Sequence, residues 1–315
     1  MAVGVTSGYY VSSATTNSYG ANFVPEIWSG KLQVKFYKST VLGEITNNDW
    51  EGEIKDQGDK VNIRTIPTIT ISDYTKGMSL AAQVPVSTPI TLTIDYGKYF
   101  NVVVDDVDAT QADVKLMDMF TNDAAQQMKI GIDSLVLTQL ATGGASTTPL
   151  AAAANQGNSA GASSANIPLG VTATPITLTK ANVLDTILNM GQALDEQNVP
   201  EDGRWLVIPA WMGALIKNSD LKQAYLTGDD TSILRNGKMG MIDRFTLYVS
   251  NNLYTASSKT TILAGTRDAV SFASQITNVE TLRSTTTFGN IMRGLNVFGF
   301  KVVKPEALVA AVVTK

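Results

Sequence analysis

Apolar and polar positions alternate along two stretches in the first third of the chain, and a period of two marks β-strands. In DKVNIRTIPTITISDY, Val61 and Ile63 alternate with Asn62 and Arg64; the phase slips at Ile66-Pro67 and resumes at Ile69 and Ile71. Pro67 has no N–H to give to a ladder, so it marks a bend, a bulge or an edge. The return stretch, ITLTIDYGKYFNVVVDDV, alternates through Ile90, Leu92, Ile94 and Tyr96. Gly77, Pro85 and Pro89 lie between the two and predict a turn-rich tip. The pair reads as a long ribbon. Two strands alone are marginal in water, so the apolar residues of this one imply cover from outside it.

The period then lengthens to that of a helix. Val114, Met117, Thr121, Ala124, Met128, Ile132, Leu135 and Gln139 share one face, and Leu116, Phe120 and Val136 widen it. A single helix is predicted over 108–142, about 50 Å long from the rise per residue. It is preceded by the acidic group Asp105, Asp106, Asp108 and Asp113. These could hold a divalent cation. Helix-start chemistry fits better, with Asp108 as N-cap and Gln111 as its capping-box partner. The ligand spacing of a calcium loop around its glycine is missing.

The second half alternates between the two periods. Thr179 to Asn198 is an amphipathic helix through Val183, Ile187, Met190 and Leu194; RWLVIP is a buried strand, and a helix follows through Trp211, Leu215 and Ile216. FTLYVSNN and TTILAG read as strands, Arg267 to Ser274 as a short helix, and the C-terminal stretch as strand-rich. Such alternation predicts an α/β layer around a mixed sheet. Residues 1–25 carry no charge and lack helical spacing, which predicts an extended arm bearing Tyr9, Tyr10, Tyr19, Phe23 and Val24. A helical pattern takes over from Pro25 to Leu42. Ser134 to Thr179 is again uncharged, and its low-complexity middle reads as a long surface loop.

Composition narrows the function. The 315 residues are 44% hydrophobic and only 17% charged, which suits a surface largely hidden against copies of itself. The net charge of −4 argues against a dedicated nucleic-acid binder. No apolar run is long enough to cross a bilayer as a helix, and the first residues do not have a signal peptide's pattern. The chain has no Cys and no His. That removes thiolate chemistry, disulfides, and the commonest general base and zinc ligand. Gly237-Lys238 does not complete a phosphate loop, because Ser232 stands where that loop needs glycine. A His-free hydrolase with a Ser-Lys or carboxylate pair remains a weak alternative. No catalytic, cofactor or metal site is expected.

In this order the segments resemble the major capsid protein of tailed bacteriophages, the Hong Kong 97 type. The resemblance is carried by FVPEIWSGKL, GDKVNIRTIP with the later DYTKG, LTIDYGKYFNVVVDDVDATQAD, LDEQNVPEDGRWLVIPAWM, TILAGTRDAVSFASQI and FGNIMRGLNVFGFKVVKPEAL. It implies an α+β fold: an N-terminal arm (1–44), an extended β-hairpin loop (45–100), a peripheral domain (101–179 and 266–315) with a spine helix (108–142), and an α/β axial domain (180–265). It also implies hexamers and pentamers of an icosahedral head around double-stranded DNA. The subunit would be made in the host cytoplasm and end in the virion, with no membrane contact. A portal and, because Met1 lies close to the arm, a separate scaffolding protein are expected. Inter-subunit contacts are expected at Tyr9, Tyr10, Phe23, Ile63, Pro67, Ile69, Ile71, Ile90 and Leu92. An encapsulin-like compartment with the same fold is the alternative shell.

Overall fold

A computed structural model describes residues 37–50, 60–67, 69–79, 82–106, 116–142, 155–156, 167–219 and 240–315. Tyr9, Tyr10 and Phe23, the capping pair Asp108 and Gln111, and Gly237-Lys238 lie outside these residues.

Arg204–Ile208 (β6) is buried at every position, as expected of a strand covered on both faces. It lies inside a mixed sheet between Lys259–Thr266 (β10), antiparallel, and Phe245–Val249 (β8), parallel. Helix α4 (Ala210–Lys217) follows β6 directly, and Met241–Ile242 (β7) leads into β8. On the other side of β10 lies Leu308–Thr314 (β13), paired antiparallel with it from Lys259↔Thr314 to Gly265↔Leu308. Its run LVAAVVT is almost wholly buried. Three two-residue strands complete the layer: Asn155–Gln156 (β4) and Ile176–Thr177 (β5) beside β13, and Thr255–Ala256 (β9) beside β10. After the single helical turn Leu42–Ile45 (α1) and the long helix Leu116–Thr142 (α2), helix α3 (Val183–Glu196) buries Val183, Ile187, Met190 and Leu194, the face its sequence spacing predicts.

A second sheet has three strands, Val270–Arg283 (β11), Gly289–Val302 (β12) and Tyr96–Asp105 (β3), with β12 in the middle. The β11–β12 hairpin has 14 residues in each strand, about 45 Å of extended chain. Helix α2 (Leu116–Thr142) spans 27 residues, about 40 Å. It packs on β3 and β12, where Thr121 Oγ1 meets the Met292 sulfur. Its C-terminal half is buried in the main core through Ile132, Val136, Leu137 and Leu140, with Met128 packed against the edge of that core. The predicted face is thus the inward one, half-buried at Thr121, Ala124 and Met128 and buried at Ile132, whereas Phe120, expected to widen it, is exposed.

Three further expectations are corrected. The short helix at Arg267–Ser274 is a single turn, Arg267–Ala269, after which the chain enters β11. The return stretch of the ribbon is two strands, Ile90–Thr93 (β2) and β3, and β3 pairs with β12 rather than with the ribbon. Strand β13, which the resemblance implies lies in the peripheral domain, pairs into the α/β sheet. Each follows from long-range pairing, which local periodicity does not carry.

Candidate functional site

The ribbon begins on an anchored root. Lys60–Ile63 (β1) pairs with β2 from Lys60↔Thr93 to Ile63↔Ile90. Ile63 and Leu92 point into a small satellite core with Ala273, flanked by Trp50, Val61, Ile90, Ile94 and Val303. The sheet makes room for this root with the small pair Ala273↔Gly299. A Cβ on Gly299 would stand 2.0 Å from the Thr93 carbonyl oxygen and 2.9 Å from Ile94 Cα. Ile63 and Leu92, expected on a neighbour, therefore face inward, and Ile90 is half-buried beside them. They aim the ribbon; they are not free to bind.

Beyond the root the two limbs run on without a regular ladder among the described residues. Side chains join them instead: Thr65 Oγ1 donates to the Thr88 carbonyl (2.7 Å), and Ser87 Oγ donates to the Thr65 carbonyl (2.5 Å). Farther out, Gln83 brackets Thr70, donating to its carbonyl (2.8 Å) and accepting from its N–H (3.1 Å). Pro67, Pro85 and Pro89 explain the choice, since none can donate a ladder bond. Pro67 is half-buried, so it serves the bend. The apolar residues of this limb are left to water: Ile66 is 95%, Ile71 90% and Val84 86% exposed, with Ile69 and Val86 largely so. An apolar row of that extent marks a binding surface.

The α/β layer carries the one dense charge cluster among the described ion pairs. Arg204 is buried, donating to the carbonyls of Val199 and Pro200 (2.6 and 2.9 Å) and pairing with Asp195 (2.7 Å). Arg244 reaches Asp195 (2.7 Å), Glu201 (2.6 Å) and, more distantly, Asp243 (3.7 Å). Burial works against the Asp195 carboxylate, but the two guanidiniums outweigh it and hold the group below the ordinary range. Burial pushes Asp243 up, against the pull of Arg244. Every carboxylate here is matched to an arginine, which describes a structural clamp around residues 195–204. Of the acidic group before α2, Asp106 is held by both terminal nitrogens of Arg283. Among the described residues no group of three acidic side chains could hold a metal ion.

The periodicity missed Arg204, Asp133 and Asn252 as buried polar groups. Asp133 did carry a signal, a lone charge between Ile132 and Leu135 on the buried half of the helix.

A rigid root that carries an apolar limb into water defines a subunit built to join others. The chain matches the model of the phage capsid protein family over residues 88–311 and belongs to that family. It is a major capsid protein of the tailed-phage kind, with the Hong Kong 97-like fold. The structure from Mycobacterium phage Che8 is similar over 93% of this chain and 97% of that one, with TM-score 0.73 and 27% identity. The capsid structure of the cyanophage P-SCSP1u (15% identity, TM-score 0.69, covering 95% and 96%) shares the fold. So does the capsid of Myoviridae phage XM1 (15% identity, TM-score 0.64, covering 91% and 96%). No curated protein matches the chain.

Proposed function

We propose that the chain builds an icosahedral head from hexamers and pentamers enclosing double-stranded DNA, with each ribbon limb laid on the adjacent subunit. The observation that carries this is the exposed apolar row at Ile66, Ile69, Ile71, Val84 and Val86 on a buried root. Ile69 and Ile71, with Pro67 at the bend, are the ribbon's inter-subunit residues. The arm (1–44), with Tyr9, Tyr10 and Phe23, crosses to a further neighbour. The axial unit (180–265) lies at the ring axes and the peripheral unit between rings. Closed rings and shells make individually modest contacts cooperative. The subunit is made in the host cytoplasm and acts in the virion without catalysis. A separate scaffolding protein and a portal are its partners. An acidic subunit also leaves packaged DNA mobile, since a basic lining would bind it through counterion release. An encapsulin-like role is not favoured, because the matching family and the similar structures are those of phage capsids.

Burying one isoleucine contributes about 2 kcal/mol, roughly 30-fold per contact. The double substitution Ile69→Asp with Ile71→Asp therefore leaves the subunit folded by circular dichroism and stops particle formation in negative-stain images. Normal particles from this variant sink the ribbon reading.

A further inference from the structure

Asp133 lies on α2 with only 1% of its surface exposed. Its Oδ1 accepts from the N–H groups of Val41 and Leu42, both at 2.9 Å. Its Oδ2 accepts from Asn252 Nδ2 at 2.6 Å. The same Asn252 nitrogen donates to the Ser39 carbonyl at 3.2 Å, and Ser250 Oγ donates to that carbonyl at 3.2 Å. Three parts of the chain thus meet at one carboxylate: the segment before Leu42, helix α2, and the loop after β8.

Asn252 shows how firmly the joint is set. Its Oδ1 is buried and finds no partner among the described residues. Turning the amide over would place that oxygen against the Asp133 carboxylate and a nitrogen where nothing accepts it. The carboxylate forces the observed orientation, and the orphaned oxygen is the cost. Four residues before Val41 the segment is held again, where Tyr37 Oη donates to Asp123 Oδ1 at 2.9 Å. From Asp123 to Asp133 the helix rises about 15 Å, and four extended residues span about 13 Å. Residues 37–41 therefore run alongside α2 in its own direction. Followed backwards from Val41 to Tyr37, the segment points toward the N-terminal half of α2.

We propose that Asp133 is a positioning residue for shell assembly: with Asn252 and Tyr37 it fixes the direction in which the N-terminal arm leaves the subunit. This rests on the shell reading above. An arm that must reach one neighbour is useful only if its exit is fixed, because a swivelling exit spreads its tip over many directions and lowers its effective concentration at the docking site.

The test is Asp133→Asn. The new amide oxygen can still accept from Val41 and Leu42, but its NH₂ then faces the NH₂ of Asn252. Asn252 must turn over, and its bond to Ser39 is lost. Hydrogen exchange across residues 37–45 of dissociated subunits is expected to speed at least tenfold, and particle yield to fall at least fivefold. Met190→Ala, a core truncation on α3 away from the joint, serves as the control for general destabilisation. It is expected to lower the unfolding midpoint as much or more while retaining particles. The proposal is overturned by unchanged exchange at 37–45, by faster exchange with normal particle yield, or by equal particle loss in the control. Normal particles from Asp133→Asn overturn only this inference, whereas unassembled wild-type chain overturns the shell reading with it.

Discussion

Asp243 and Arg244 sit at φ 45° and 65° in the two-residue turn between β7 and β8. That turn needs the left-handed region twice, and asparagine followed by glycine serves it best. Arg244 is tolerated because its guanidinium is clamped by Asp195 and Glu201. Asp243 is less well served: its carboxylate is pressed against α3, only 2.1 Å from where a Cβ on Gly191 would stand, and burial raises its pKa. Asp243→Asn keeps the shape, suits the backbone and removes the buried charge. It should stabilise the subunit at pH 7 by about 0.5–1 kcal/mol, seen as a higher unfolding midpoint. The pH dependence of the pair has opposite signs. A raised folded pKa means that the contribution of Asp243 is present below its unfolded value and lost as pH rises through the folded one. The lowered pKa of Asp195 means the reverse: its contribution is present above about pH 4 and lost as pH falls through the folded value. Asp195→Asn should therefore lower the midpoint at pH 7, and its deficit against wild type should close below about pH 4. A deficit that persists unchanged in acid would show that the ion pairs are not its source.

Elements were legible where their own period carries them. The face of α3 and the apolar run Trp205–Ile208 of β6 can be read directly because each buries a pattern contained within itself. The break between β2 and β3 could not, because the alternation of Ile90, Leu92, Ile94 and Tyr96 runs straight across it and only the partner changes, from β1 to β12. Nor could the ribbon root. Ile63 and Leu92 look like Ile69 and Ile71 in sequence, yet the first two are buried and the others exposed, because Ala273 and Gly299 open a seat for one pair only. That seat is testable. Gly299→Ala drives a methyl into the backbone at Thr93 and Ile94, which cannot yield as a flexible side chain would. It should cost about 2–3 kcal/mol and speed hydrogen exchange in β1 and β2 more than in β6. Equal protection in both would mean that the root is not seated there.

The molecule as a whole divides its apolar residues between two uses. One large cluster joins both sheets, α2 and α3, from Leu137 and Trp205 to Phe298, and it does not include the limb. Stability of the subunit and affinity for neighbours are thus carried by different residues, and they should separate under mutation. Ile71 is one such case, being 90% exposed in the single chain. Ile71→Ala should leave the unfolding midpoint of dissociated subunits within about 1 °C, since surface changes of this kind stay within about 0.5 kcal/mol. In a shell the same truncation recurs at every copy of the contact and removes about 1–2 kcal/mol each time. Because closure requires many such contacts at once, assembly should start sharply above a threshold concentration. Light scattering against subunit concentration should place that threshold at least tenfold higher for Ile71→Ala than for wild type. An unshifted threshold would remove Ile71 from the interface, and a lowered unfolding midpoint would mean that the limb folds back onto its own subunit.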